Sequence, residues 1–266
     1  MPQPPTILVF DSGLGGLTVL REIVRARPDA RYVYVADDAF FPYGQHSEAE
    51  IIDRVVPVIG ELIAAHRPDL VVIACNTAST LVMGHLRRAW PVPFVGTVPA
   101  IKPACAQSQS KRVSVLGTSG TVKREYTRTL IEDFAGGCEV TLVGSPNLAT
   151  LAERALGGKG LDAAIGDDAI LAEITPCFVD DGAARTDTVV LACTHYPLLL
   201  DRLVELAPWP VTWIDPAPAI ARRVAGLLGA GDPAAEPAGS EMHFTSGRPP
   251  MPGAVLAPFF GAREPA

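Results

Sequence analysis

The 266-residue chain has little of what marks several common protein classes. Its five cysteines, Cys75, Cys105, Cys138, Cys177 and Cys193, are odd in number and form no C-x-x-C pair, which excludes a disulfide framework and a four-thiolate zinc site. Lys and Arg total 22 against 29 Asp and Glu, a net charge of -7, so no positive field draws nucleic acid or an anionic membrane surface. The uncharged stretch 70–86 approaches membrane length but holds Asn76, Thr77, Ser79 and Thr80, so it reads as a strand and a helix, not a span. The opening MPQPPTILVF has neither a basic leader nor a long apolar segment, so no signal peptide is expected, and the unpaired thiols fit the cytoplasm. Charged residues are only 19% against 48% hydrophobic, which excludes a disordered chain.

What is present alternates. Apolar runs at 7–10, 31–36, 70–74, 113–116, 140–143, 189–192 and 211–214 read as buried strands. Amphipathic segments at 17–26, 48–66, 78–89, 121–134, 162–181 and 217–228 read as helices, the second opened by a capping box from Ser47 and Glu50. Strands alternating with helices predict an α/β fold with mainly parallel sheets, whose chemistry belongs in the loops at the carboxyl ends of the strands. Residues 229–239 read as a Gly, Ala and Pro linker, and MHFTSG at 242–247 as one more strand and turn.

The two halves repeat. VVIACNTAS at 71–79 matches VVLACTHYP at 189–197, and ILVFDSGLGG at 7–16 parallels VSVLGTSGTV at 113–122. Two related, pseudo-symmetric α/β domains follow, one carrying Cys75 and the other Cys193.

Cys75 and Cys193 both stand at the end of a buried strand and before a helix start, where backbone N–H groups and the helix dipole favour a thiolate. Cys105 in a helical stretch, Cys138 at a strand start and Cys177 in an apolar helical face lack this address and read as packing residues. The pair with His195 makes a poor zinc signal, and no electron-carrier fingerprint supports a redox disulfide. Acid and base chemistry remains, one thiolate removing a proton from a carbon centre while an opposing thiol supplies one from the other side.

The strand-end loops contain no Lys or Arg, so a carboxylate would be held by neutral donors: backbone N–H groups, the hydroxyls of Ser12, Thr77, Thr118, Thr121 and Thr194, and the Asn76 amide. Asp11 reads as an exposed anion, suited to an ammonium group or to positioning a thiol. DSGLGG is neither a dinucleotide nor a Walker fingerprint, and Lys159 in GGKG reads as a solvated loop residue and not a Schiff-base lysine, so no cofactor is expected.

The segments DSGLGGL, DDAFFPYG, ACNTAS, VPAIKPA, LGTSGTV and LACTHYPLL together resemble the cofactor-independent glutamate racemases of the aspartate/glutamate racemase superfamily. The resemblance implies two α/β domains, the first of residues 1–97 plus 211–266 and the second of 98–210, with the active site in the cleft between them, and interconversion of L- and D-glutamate to supply D-glutamate for peptidoglycan. By position, Cys75 and Cys193 match the catalytic acid/bases, with Asp11 and His195 beside them and Glu153 assisting on the second side. Asp11, Ser12, Pro42, Tyr43, Gly44, Asn76 and Thr77 match substrate-contacting positions of the first half. Thr118, Thr121, Thr194 and His195 match those of the second. The implied partner is the small-molecule substrate, with no cofactor, metal, nucleic acid or membrane and with a homodimer as the candidate assembly. An aspartate or other amino-acid racemase and a non-enzymatic amino-acid sensor are the alternatives; the sensor would not need two matching thiols.

Overall fold

The computed structural model describes residues 3–157, 165–229, 231, 238–249, 251–261 and 265. The first stretch runs β1 (Thr6–Asp11), α1 (Leu17–Ala26), β2 (Arg31–Ala36), α2 (Glu48–His66), β3 (Leu70–Ile73), α3 (Asn76–Ala89) and β4 (Phe94–Gly96). Ile7 to Phe10 and Leu70 to Ile73 are fully buried, as the central strands of a sheet covered on both faces must be. Helix α1 buries Leu17, Leu20, Ile23 and Val24, spaced three and four apart, and turns Arg25 to solvent. The predicted capping box opens α2: Ser47 Oγ accepts from Glu50 N at 3.3 Å and Glu50 Oε2 accepts from Ser47 N at 2.8 Å.

The chain continues with α4 (Ile101–Gln107), β5 (Arg112–Thr118), α5 (Ser119–Lys123), α6 (Glu125–Phe134), β6 (Glu139–Ser145), α7 (Leu148–Gly157), α8 (Asp167–Ile174), β7 (Thr188–Ala192), α9 (Leu200–Leu206) and β8 (Thr212–Ile214). It closes with α10 (Ala217–Leu228), β9 (Ser240–Phe244) and α11 (Gly253–Phe260). Two compact units result, Met1–Thr97 with Ala217–Ala266, and Val98–Pro216.

Among the described residues each unit has one wholly parallel sheet, ordered β4-β3-β1-β2-β9 in the first and β6-β5-β7-β8 in the second. Reversed, the second reads β8-β7-β5-β6, so each of its strands stands where the strand four earlier stands in the first sheet. The chain leaves β1 toward one side to form β2 and crosses to the other side for β3. The carboxyl ends of β1 and β3 therefore flank a switch point, as do those of β5 and β7, and such points are where α/β sheets bind ligands.

Several expectations need correction. The boundary placed at 210/211 falls at Pro216/Ala217, because Thr212–Ile214 pairs with β7 in the second sheet. The helix expected at 121–134 is two, broken at Arg124, whose backbone is extended (φ -75°, ψ 144°) while Thr127 Oγ1 binds the Thr121 carbonyl at 2.7 Å. In 162–181 the described helix spans only Asp167–Ile174, and Pro176 tightens the next turn so that Cys177 is buried in a short 3₁₀ turn. The short β4 lies beyond the expected strands, its three residues being too few for a period to show. Lys159 and most of the 229–239 linker lie outside the described residues. Among those described, no helix is long and apolar enough to cross a membrane.

Candidate active site

In the first unit, Asp11 ends β1 and Cys75 follows β3 as the residue capping α3. The parallel register pairs Phe10 with Ile73, which continued two residues sets Ser12 opposite Cys75. Cys75 is 5% exposed, and the first turn of α3, a 14-residue helix with the positive end of its dipole at this terminus, begins immediately after it. The DSGLGG loop is pinned from within: Tyr34 donates to the Gly13 carbonyl at 2.6 Å, and a Cβ at Gly16 would lie 2.6 Å from Asp11 Cβ. This covering corrects the reading of Asp11 as exposed. It is fully buried, and its Oδ2 accepts the Gly13 N–H at 3.2 Å.

Tyr43, Cys75 and Asp11 come together. Tyr43 is buried, and burial followed by the charges of Asp37, Cys75 and Asp11 raises its pKa, so the phenol stays protonated. Tyr43 donates to Asp37 Oδ2 at 2.6 Å. Asp37, absent from the expected site residues, also accepts Thr245 Oγ1 at 2.6 Å and Arg54 Nη2 at 2.5 Å. Burial alone would raise the Asp37 pKa; those hydrogen bonds outweigh it and hold the carboxyl ionised. Arg54 on α2 thus stands behind the cation-free loop 37–44, and Asp37 neutralises it; the sequence shows Asp37 in DDAFFPYG but not the reach from α2. Pro42 and Gly44 flank Tyr43 in this loop, before and within a 3₁₀ turn. Asn76 and Thr77 are buried in the first turn of α3, and neither Nδ2 nor Oδ1 of Asn76 has a hydrogen-bond partner. Such a buried amide is costly unless something polar meets it.

In the second unit, Thr118 ends β5 and Cys193 follows β7. Gly117 pairs with Ala192, which continued one residue sets Thr118 opposite Cys193, as Ser12 stands opposite Cys75. Thr118 caps α5, its Oγ1 lying 3.2 Å from Thr121 N and 3.0 Å from Thr121 Oγ1. The expected helix start after Cys193 is absent. Thr194 and His195 lead into a four-residue 3₁₀ turn, Tyr196–Leu199, with Pro197 within it.

Side chains take the place of the helix. Cys193, 7% exposed, has its Sγ 3.8 Å from His195 Nδ1, and His195 Nε2 lies 2.7 Å from Glu153 Oε2 on α7. Glu153 is turned to His195 and is only 16% exposed. Burial opposes a charge on His195, but hydrogen bonds to Cys193 and Glu153, and their charges, outweigh it and raise its pKa well above the ordinary value. The other thiols behave as packing residues: burial pushes Cys105 and Cys177 up to about 12.

Two sheets that share a four-strand order each carry a buried thiol within two residues of a strand end, in a polar loop at a switch point. Residues 7–224 match the Asp/Glu/Hydantoin racemase family, and the chain belongs to it. It is an amino-acid racemase, an isomerase. A glutamate racemase of Brucella ovis is 58% identical over 228 residues, which are 85% of this chain and 80% of that protein. The crystal structure of Escherichia coli glutamate racemase in complex with L-glutamate and the activator UDP-MurNAc-Ala superposes with a TM-score of 0.83 at 39% identity, over 97% of this chain and 94% of that one. Glutamate racemase of Aquifex pyrophilus gives 0.71 at 28% identity, over 97% and 96%.

Proposed function

We propose that the chain interconverts L- and D-glutamate without a cofactor, with Cys75 and Cys193 as the two acid/bases. The observation that carries this reading is the equivalent placement of the two thiols, each in the loop after the third strand of its own sheet and opposite the matching hydroxyl residue, Ser12 or Thr118, in register. The 58% identity to Brucella glutamate racemases favours glutamate as substrate.

One thiolate takes the Cα proton, breaking the C–H bond and leaving its electron pair on Cα and the carboxylate. The other thiol gives its proton to the opposite face. After one turnover the thiols have exchanged protonation states, and the reverse reaction restores them. Cys75 deprotonates D-glutamate and Cys193 L-glutamate, with Asp11 and the His195–Glu153 pair positioning them. Ser12, Tyr43 with its neighbours Pro42 and Gly44, Asn76, Thr77, Thr118, Thr121 and Thr194 bind substrate. The unpartnered Asn76 amide supports this, being a donor and acceptor held ready beside Cys75. The product, D-glutamate, supplies peptidoglycan synthesis in the cytoplasm.

The test follows circular dichroism of L-glutamate and, separately, L-aspartate on adding the protein. Decay of the glutamate signal to zero with little change in aspartate is the expected result. Equal or faster turnover of aspartate would move the chain to the aspartate branch of the family.

A further inference from the structure

Away from both thiols, the first unit assembles a second group of side chains with ligand chemistry. His66 is the last residue of α2, while Glu241 and His243 lie on β9, the edge strand of the first sheet. Residues two apart on a strand share a face, so Glu241 and His243 point the same way. Glu241 Oε2 lies 3.1 Å from His243 Nε2 and 3.6 Å from His66 Nδ1, and all three atoms lie within 4.8 Å of one another. The other carboxylate oxygen, Oε1, is held by Arg31 at the start of β2, so Oε2 is the one turned to the imidazoles. The rings of His66 and His243 are 5.3 Å apart, and the side chains keep 16%, 28% and 45% exposure for His66, Glu241 and His243, within reach of an ion from solvent.

From this geometry we propose that His66, Glu241 and His243 form a binding site for a divalent transition ion of the zinc class. Two imidazole nitrogens and one carboxylate oxygen suit Zn²⁺, Co²⁺ or Ni²⁺ and not Mg²⁺ or Ca²⁺, which take oxygen ligands. Metal–ligand bonds of about 2.0–2.2 Å in a tetrahedron put ligand atoms roughly 3.3 Å apart, so two of the three spacings need little change and small ring rotations supply the rest. Arg31 orients the carboxylate from outside, as second partners of metal ligands do. The final carbonyls of α2, the negative end of its dipole, add to the attraction for a cation.

The site is structural in role. It ties the C-terminal segment to the helix preceding β3, at an edge that otherwise presents unpaired backbone groups. Its ligands are separated by 175 and 2 residues, so no ligand spacing in the sequence marks it.

The experiment titrates Co²⁺, then Zn²⁺, into metal-stripped full-length protein. One equivalent of Co²⁺ is expected to give visible d–d bands without the near-ultraviolet band of a thiolate ligand, and Zn²⁺ to displace it and raise Tm by on the order of 5 °C. His243→Gln and His66→Gln should each abolish the bands and the Tm rise, while racemisation in metal-free buffer stays unchanged. Far-ultraviolet circular dichroism checks that each variant is folded, and either variant suffices for the test. A thiolate band, binding that survives both substitutions, or no stoichiometric binding at 100-fold excess over protein would each overturn the proposal; none of these outcomes depends on the racemase mechanism.

Discussion

The two thiol-bearing loops stand at the same address in their own sheets and are furnished differently. Aligning the sheets by register sets Ser12 against Thr118 and Cys75 against Cys193, but Asp11 against Gly117, and Thr77 against His195. Around Cys75 the first unit offers a full helix N-terminus, a buried carboxylate one strand away and a phenol kept protonated. Among the described residues of the second unit, Cys193 is followed by no such helix, and the β5 position that matches Asp11 is Gly117, without a carboxylate. This unit brings in an imidazole whose charged form is supported by Glu153 from another helix. A Cβ at Gly117 would meet Val122 Cγ1 at 3.2 Å, so the second half has no room for its own Asp11 without repacking. A duplicated scaffold thus presents one thiol beside backbone dipoles and an anion and the other beside a titratable base. Each is tuned by what its loop can reach.

The largest effect that would break this pairing is loss of a thiol. Cys75→Ala and Cys193→Ala are each expected to lower kcat at least about 10²-fold, the contribution of a positioned general acid or base. A variant that keeps most of its activity would show that its half of the comparison has no chemical meaning.

Smaller effects should separate the halves. Asp11→Asn and His195→Asn are each expected to cost about tenfold or more, with opposite signatures. The primary isotope effect on L-[2-²H]glutamate should grow in His195→Asn, and that on D-[2-²H]glutamate in Asp11→Asn; growth in both for either variant would erase the division of labour. Glu153→Gln removes a group that raises the His195 pKa, so the imidazole resonances should titrate at lower pH than in the parent protein. A folded pKa above the unfolded value of about 6.5 stabilises below that pH, and the gain disappears as pH rises through the folded pKa. The stability gap between parent and Glu153→Gln should therefore be widest near pH 6 and close toward alkaline pH; a gap that widens upward would contradict the assigned charge.

The smallest effect concerns how the two thiol-bearing strands are anchored. Asp69 and Asp187 are equivalent residues just before β3 and β7. Asp69 accepts Thr6 N at 2.7 Å, whereas Asp187 accepts Ser108 Oγ, Gln109 N, Ser110 N and Thr188 Oγ1 at 2.6–2.8 Å. Burial would raise the Asp187 pKa, but these bonds, led by Ser108, draw it down to about 2. A depressed carboxyl pKa stabilises above the unfolded value of about 3.9 and ceases to do so as pH falls through the folded one. Asp187→Asn is expected to cost roughly 1–2 kcal/mol at neutral pH and almost nothing near pH 2, and Asp69→Asn under about 1 kcal/mol, by denaturant titration.

The duplication was legible because buried parallel strands read as continuous apolar runs, and VVIAC and VVLAC bring their cysteines along. The break at Arg124 was not, since it rests on a Thr127 hydroxyl taking a helical carbonyl inside a segment of unbroken amphipathic pattern. The burial of Asp11 follows from a loop folding over its own strand end, held by Tyr34 from the neighbouring strand, which no local pattern reports. Glu153 meets His195 across 42 residues, so its role could be matched by resemblance but not seen in spacing. The helix expected after Cys193 yields to Pro197 and a 3₁₀ turn, and the second thiol loop differs from the first at that point.

The central claim is that two separate thiols serve the two faces of one carbon, and isotope incorporation tests it most directly. When L-glutamate is racemised in deuterium oxide, the D-glutamate formed should carry deuterium at Cα from the earliest time, while recovered L-glutamate carries almost none. Early deuterium in recovered L-glutamate equal to that in the product would show a single shared base and contradict the two-thiol account.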